Sequence, residues 1–278
     1  MRLLFATILW TAFTLSAFSQ GNYEIQVYGS DTVESHSTML EVHSNFTAQG
    51  TKPVSGSKFT AALQVPTNRA QHETLEITRG INDWFEVGSY IFTSYESGNG
   101  YQYVGSHIRP RVRAPESWNL PVGLSLSMEI GYQRPIFSPD TWSWEIRPII
   151  DKKFDRWYFA FNPALEKSLH GPGEGNGFEF APNVKGSYDF TGKITGGLEY
   201  YGSLGPVGDF DPAHEQQHMF FPAIDLNLSP RWELNFGVGI GATASTDHII
   251  VKMILGRRFG GRSNKQGKGK SAVKLSNE

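Results

Sequence analysis

Residues 247–259 constrain the fold more than any other stretch of the chain. Ile249, Val251, Met253 and Leu255 fall on one parity, His248, Lys252, Gly256 and Arg258 on the other, and the run closes on Phe259. Alternation of this kind places the two sets on opposite faces of a β-strand. One face suits lipid or a core, and the other carries charge. The same pattern returns many times upstream. It predicts an all-β protein, a single antiparallel transmembrane β-barrel of about twelve strands.

The first residues read as an export signal. Arg2 supplies a positive start, the run from Leu3 to Leu15 is apolar, and Ala17-Phe18-Ser19 is a small-x-small cleavage site. Residues 1–19 are therefore expected to be a signal peptide. The apolar run is short beside the roughly 20 residues that a spanning helix needs. The chain has no cysteine, which excludes a lipidated cysteine, disulfides and thiolate metal sites. No later stretch offers a long apolar helix. Residence in a membrane then requires a closed barrel, in which every backbone polar group is paired. Overall hydrophobicity of 39% does not oppose this, because lipid-facing and lumen-facing residues alternate. Thirty glycines and 13% aromatics fit strands, tight turns and interfacial girdles. A net charge of −2 argues against general nucleic-acid binding.

Turn signals punctuate the chain at Arg79-Gly80-Ile81-Asn82-Asp83, Thr191-Gly192-Lys193 and Ser229-Pro230. Strands are expected near residues 38–47, 72–78, 84–95, 101–113, 119–134, 141–150, 156–167, 177–190, 194–203, 217–228, 231–242 and 247–259. With the amino end in the periplasm, the tight turns fall on the periplasmic side and the long Gly/Pro-rich loops fall outside, as in bacterial outer-membrane barrels. The domain reading is a signal peptide at 1–19, an N-terminal segment at 20–37, a barrel at 38–259 and a flexible basic tail at 260–278. Residues 59–65 offer an additional hairpin arm. The 20–37 segment reads either as a plug or as a tether. The tail carries Arg262, Lys265, Lys268, Lys270 and Lys274, suited to anionic headgroups or peptidoglycan, or to plain solvation.

Parity assigns the faces. Leu120, Val122, Leu124, Leu126, Met128 and Ile130 oppose Gly123, Ser125, Ser127, Glu129 and Gly131. Trp232, Leu234, Phe236, Val238 and Ile240 oppose Glu233, Asn235, Gly237 and Gly239. A soluble β-sandwich can produce the same alternation. Small residues on the polar faces, and aromatics near strand ends such as Trp84, Tyr95, Trp142, Trp157 and Trp232, favour the membrane.

The densest ionic feature is His107, Arg109, Arg111 and Arg113, four cationic or titratable residues on one parity. Facing lipid, three arginines would cost several kcal/mol, so the ladder is expected to line the lumen. Glu76, Glu86, Glu129, Glu145, Arg147, Glu199, Asp225, Glu233, Lys252 and Arg258 are expected there too, as are Glu41, Glu166 and Lys185. Two functions follow from this lumen; a third reading, an outer-membrane hydrolase, requires convergent Ser/His or Asp/His geometry at a rim. In one, the lumen is a passive channel or uptake path for a small solute. In the other, acids and arginines pair across it and make a non-conducting structural or surface-interaction barrel. A barrel of about twelve strands lies between a small filled barrel and an open porin.

His214-Glu215-Gln216-Gln217-His218 matches the HExxH pattern, but it straddles a loop and a strand start after Pro206 and Pro212. Strand spacing would part the two histidines by about 13 Å, so His214 and His218 are weak metal candidates. Adjacent His43 and Ser44 point to opposite faces and make no lipase pair. Rim residues Asp140, Asp209, Asp211 and His170 are what any polar rim shows. The glycines of 237–241 precede no helix and form no phosphate loop. No catalytic set and no cofactor is expected. The expected partners are outer-membrane lipid, the barrel-assembly machinery and an unidentified small solute, in a Gram-negative envelope.

Two strand–turn units carry a family resemblance. They are residues 73–87, ETLEITRGINDWFEV, and residues 225–237, DLNLSPRWELNFG. On these the chain resembles uncharacterised outer-membrane β-barrel proteins of the phenol-degradation MetA-pathway type. The resemblance spans most of 38–259 and implies a channel for hydrophobic or aromatic solutes. It transfers no catalytic residue.

Overall fold

The computed structural model describes residues 21–51 and 67–260. The expected signal peptide, the basic tail beyond Gly260 and the hairpin arm at 59–65 lie outside the described residues. Twelve strands form one closed antiparallel barrel, each paired with its neighbours in sequence. They are β1 (Thr38–Gln49), β2 (Ala70–Asn82), β3 (Phe85–Glu96), β4 (Gly100–Arg113), β5 (Gly123–Gln133) and β6 (Trp142–Phe154). The second half comprises β7 (Trp157–His170), β8 (Glu179–Asp189), β9 (Ile194–Ser203), β10 (Gln217–Ser229), β11 (Trp232–Gly241) and β12 (Ile249–Phe259). The wall closes where β1 pairs with β12, from Thr38 opposite Phe259 to Gln49 opposite Ile249.

The alternation read from sequence is the alternation of the wall. Val42, Phe46, Leu75, Ile77, Ile108, Met128, Ile130, Phe159, Leu198, Phe236 and Met253 stand exposed around the outside. Glu41, His43, Asn45, Glu76, Arg109, Arg111, Glu129, Glu199 and Lys252 are buried on the inside. This is a core turned inside out. A sandwich would bury the apolar set between two sheets, whereas here that set forms a continuous belt too large for a water-exposed surface. Trp84, Trp142, Trp157, Trp232 and Phe259 stand exposed near strand ends, where girdles belong.

Tight turns at Asp83-Trp84, Asp155-Arg156 and Pro230-Arg231 share one mouth with the start of β1 and the end of β12. Longer connections, such as 204–216 and 242–248, lie at the other mouth, which is the outer one by the usual asymmetry. Two local departures from the expected strands have physical causes. β5 starts at Gly123 rather than near 119, because Asn119 adopts a left-handed conformation (φ 48°) after a short 3-10 turn and Pro121 follows. Val104, on the parity opposite the inward His107, Arg109 and Arg111 ladder, is nonetheless wholly buried. Phe92 faces Gly105 while Thr93 faces Tyr103, so Val104 is the additional residue of a β-bulge and turns inward.

Inside, glycine makes room for large polar neighbours. A Cβ on Gly131 would lie 1.7 Å from His107 Cδ2, and His107 Nδ1 is held 2.5 Å from Glu129 Oε1. Gly131→Ala is expected to force the imidazole from this position at a cost of about 1–3 kcal/mol. Urea unfolding of the barrel in lipid vesicles would show the loss.

Candidate functional site

The bore of the barrel is occupied by the chain's own N-terminal segment. Asn22 sits at the outer mouth, where its side-chain amide donates to Asp247 Oδ2 at 2.8 Å. The segment then descends the lumen and reaches β1 at the periplasmic mouth, where His36 N donates to Gly80 O and Gly80 N to Ser37 O. The amino end was expected among the tight turns. That holds for the start of β1, while Gly21 lies at the opposite mouth because the segment runs the length of the bore. The described part of the 20–37 segment, from Gly21 on, lies inside the bore.

A buried extended segment has no ladder of its own, so its backbone groups need partners. The wall's side chains supply them. Asn162 makes a reciprocal pair with Tyr28, Oδ1 accepting from the Tyr28 amide at 2.7 Å and Nδ2 donating to its carbonyl at 3.0 Å. Thr74 donates to Tyr23 O at 2.7 Å, and Lys252 to Ile25 O at 3.2 Å. Asp151 accepts from both Ser30 N and Ser30 Oγ. Glu86 Oε2 accepts from Val33 N at 2.5 Å. Arg111 donates to two carbonyls, Gly29 O at 3.2 Å and Asp31 O at 2.7 Å.

Apolar contacts complete the seat. Tyr23 packs with Tyr90, Phe92 and Val104, and Ile25 packs with Met219, Phe221 and Ile250. These are inward-facing patches in an otherwise polar lumen. Sequence reasoning missed them, although a signal was present. Met219, Phe220 and Phe221 are apolar on both parities, as are Tyr90, Ile91 and Phe92. A strand greasy on both faces has something apolar to cover on each.

The charged residues expected in the lumen come together largely as pairs. Arg109 lies 2.8 Å from Glu76 and 3.6 Å from Glu86, and Arg111 lies 2.6 Å from Glu86. Arg147 grips Glu145 with two hydrogen bonds of 2.6 and 2.7 Å. Lys185 bridges Glu199 and Asp225 at 3.1 and 2.7 Å, and Lys252 pairs with the other Glu199 oxygen. Arg113 reaches Asp31 of the segment at 2.9 Å, and Arg258 reaches Glu233 at 3.8 Å. Tyr28 is the hub: the guanidiniums of Arg109, Arg147 and Arg111 lie 4.8, 5.2 and 5.7 Å from its ring centre.

The other candidates lie apart. His214 is exposed in the 204–216 loop beside Glu215, at 3.4 Å. His218, at the start of β10, shares a 2.8 Å hydrogen bond with Tyr200 Oη and approaches Gln216. Among the described residues, ligand atoms of Glu41, His43 and Glu76 converge within 4.8 Å of one another. Glu76 in that group already bonds His43 at 3.2 Å and Arg109 at 2.8 Å.

No family model matches the chain, and no curated protein matches it. The likeness to the MetA-pathway type thus rests on its two strand–turn units alone. Among solved structures, the chain is similar to KdgM porin, with a TM-score of 0.48, 10% identity, and 81% of this chain and 99% of that one covered. It is also similar to the outer membrane protein Omp33 of Acinetobacter baumannii (TM-score 0.45, 9% identity, 81% and 98% covered). LpxR of Salmonella typhimurium follows (TM-score 0.41, 7% identity, 79% and 99% covered).

A closed cylinder with a lipid-compatible belt outside and a polar interior defines the class: this is an outer-membrane β-barrel protein. Within that class it is a barrel that carries its own N-terminal segment through the lumen.

Proposed function

We propose that the protein is a non-conducting outer-membrane barrel, stabilised by a salt-bridged interior and closed by its N-terminal segment, with its outer loops and mouth as the working surface. The observation that carries this reading is the seating of 22–37 along the whole bore, its backbone bonded to the wall. The cation ladder, which in sequence suits a solute path equally well, is here turned to another task. Arg111 holds two segment carbonyls while paired to Glu86, and Arg113 holds Asp31. A charge-lined pore presents its charged side chains to the permeating solute. These cations are instead neutralised and packed.

In planar bilayers the intact protein is expected to give no stepwise ion current at moderate voltage. Stable, reproducible conductance steps from the intact chain would overturn the reading in favour of an open channel.

A further inference from the structure

Each strand-borne arginine and lysine that faces the lumen meets a carboxylate. The outer wall differs. On the outward parity of the strands the charged residues are Glu73 and Lys167 toward the outer mouth, and Arg79, Lys152 and Arg257 toward the periplasmic one. Glu73 accepts from Ser44 and Gln71, and Lys167 donates to loop carbonyls. The group at the periplasmic end is wholly cationic and exposed. Among the described residues no Asp or Glu pairs with Arg79, Lys152 or Arg257. The turns beside them hold Asp83 and Asp155 against Arg156, Lys193 and Arg231, so the acids there do not outnumber the cations.

Two of these cations flank the seam where the barrel closes. Across β2, β1 and β12, Arg79 lies opposite Thr38, Thr38 opposite Phe259, and Arg257 opposite Leu40. Arg79 Nη1 donates to Thr38 Oγ1 at 2.9 Å, which uses one of the five donors of the guanidinium. The Arg257 guanidinium packs on two aromatic rings, 4.8 Å from the centre of Trp232 and 4.7 Å from that of Phe259. Such stacking orients the fork and leaves its charge in place. Toward the middle of the membrane the same strands turn Ile77, Leu40 and Leu255 outward. The seam thus carries two cations beside an apolar track, at the level of the aromatic girdle, where headgroups lie.

We infer that this seam binds anionic phospholipid of the periplasm-facing leaflet, a headgroup phosphate on each guanidinium and acyl chains along Ile77, Leu40 and Leu255. Arginine's planar fork matches two phosphate oxygens at once. Strand spacings of ~4.8 Å part Arg79 from Arg257 by about 10 Å across β1, so each takes its own phosphate. A zwitterionic headgroup brings an ammonium of its own and gains less from a cation that lacks a counter-charge. Free phosphate meets the same guanidiniums but has no chains to lay on the apolar track. Lipid held on β2 and β12 braces the closing strand pairs from outside. The inference does not depend on whether the bore conducts.

The test is native mass spectrometry of the whole refolded protein in detergent, offered phosphatidylglycerol, phosphatidylcholine or sodium phosphate. Phosphatidylglycerol is expected to be held at least about tenfold more tightly than phosphatidylcholine, each cation at a lipid surface contributing about fivefold. Arg79→Gln and Arg257→Gln are each expected to weaken its binding by about fivefold. Lys152 stands at the same level on β6, halfway round the wall from β12. Lys152→Gln is expected to change the binding by less than about twofold, because the field of a surface charge fades within a Debye length. Equal binding of the two lipids overturns the inference, as does an undiminished affinity in both arginine variants. An equal loss in Lys152→Gln would mark a diffuse surface charge in place of a site and overturn it too. So would inorganic phosphate bound as tightly as phosphatidylglycerol. The comparison of ligands on the unaltered protein decides the matter even if a variant fails to refold.

Discussion

Glu86→Ala is expected to destabilise the barrel by about 3–5 kcal/mol, the usual consequence of removing one member of a buried ion pair. Glu86 is wholly buried. Its Oε1 lies 2.6 Å from Arg111 and 3.6 Å from Arg109, and its Oε2 accepts from Val33 N at 2.5 Å. Arg109 keeps Glu76 at 2.8 Å when Glu86 is gone. Arg111 keeps the carbonyl oxygens of Gly29 and Asp31 and the Tyr28 ring, none of which carries a full negative charge, so its own charge is left buried without a paired carboxylate. The loss comes chiefly from that stranded guanidinium rather than from the pair's net worth. A second substitution separates the two contributions. Adding Arg111→Met to Glu86→Ala removes the stranded charge, and more than half of the lost stability is expected to return. Urea unfolding in vesicles reads both variants. A loss for Glu86→Ala no greater than the ~1 kcal/mol of an exposed pair would mean that water reaches this part of the lumen, and the interior would not be the packed network described.

The wall was legible in sequence because its signal is local. β11 alternates without interruption, so Phe236 and Val238 outside and Gly237 inside follow from parity alone; in β12, Met253 outside and Lys252 inside follow it too, although Ile250 and Ile254 make the inner face partly apolar. Where parity failed, a non-local cause intervened: Val104 turned inward through a bulge set by its pairing with β3. The lumen was legible only in part. Parity predicts that Arg109, Arg111, Glu76 and Glu86 face inward, but not which acid meets which cation, because that depends on register and on how the barrel closes. The path of the segment was illegible for a stronger reason. Residues 21–37 have no partner strand and bury both parities, Tyr23, Glu24, Ile25, Val27 and Tyr28 alike. A segment surrounded on all sides carries no amphipathic period. Its counterpart was written on the wall, in the doubly apolar stretches of β3 and β10 that face Tyr23 and Ile25.

Removing the segment's hold on the wall is expected to turn the barrel into a pore. Tyr28 is the point to attack. It is 1% exposed, and its ring stands among Arg109, Arg111 and Arg147. Its hydroxyl donates to Glu24 and lies 3.3 Å from that of Tyr90. Truncating a buried aromatic of this size costs about 3–5 kcal/mol. Asn162→Ala, added to Tyr28→Ala, removes the reciprocal backbone pair as well. The double variant is expected to flicker between closed and conducting levels in planar bilayers. Deletion of 22–35 is expected to conduct persistently, because about twelve strands enclose more space than their own side chains fill. The absence of cysteine permits a clean control. Ser30 Oγ lies 2.6 Å from Asp151 Oδ1, so Ser30→Cys with Asp151→Cys, placed in the Tyr28→Ala/Asn162→Ala background, can fasten the segment to β6. Oxidised, that barrel should be silent; reduced, it should conduct. If the deletion variant refolds to heat-modifiable barrels and still passes no current, wall side chains close the bore unaided, and the segment is a stabilising insert rather than the element that shuts the barrel.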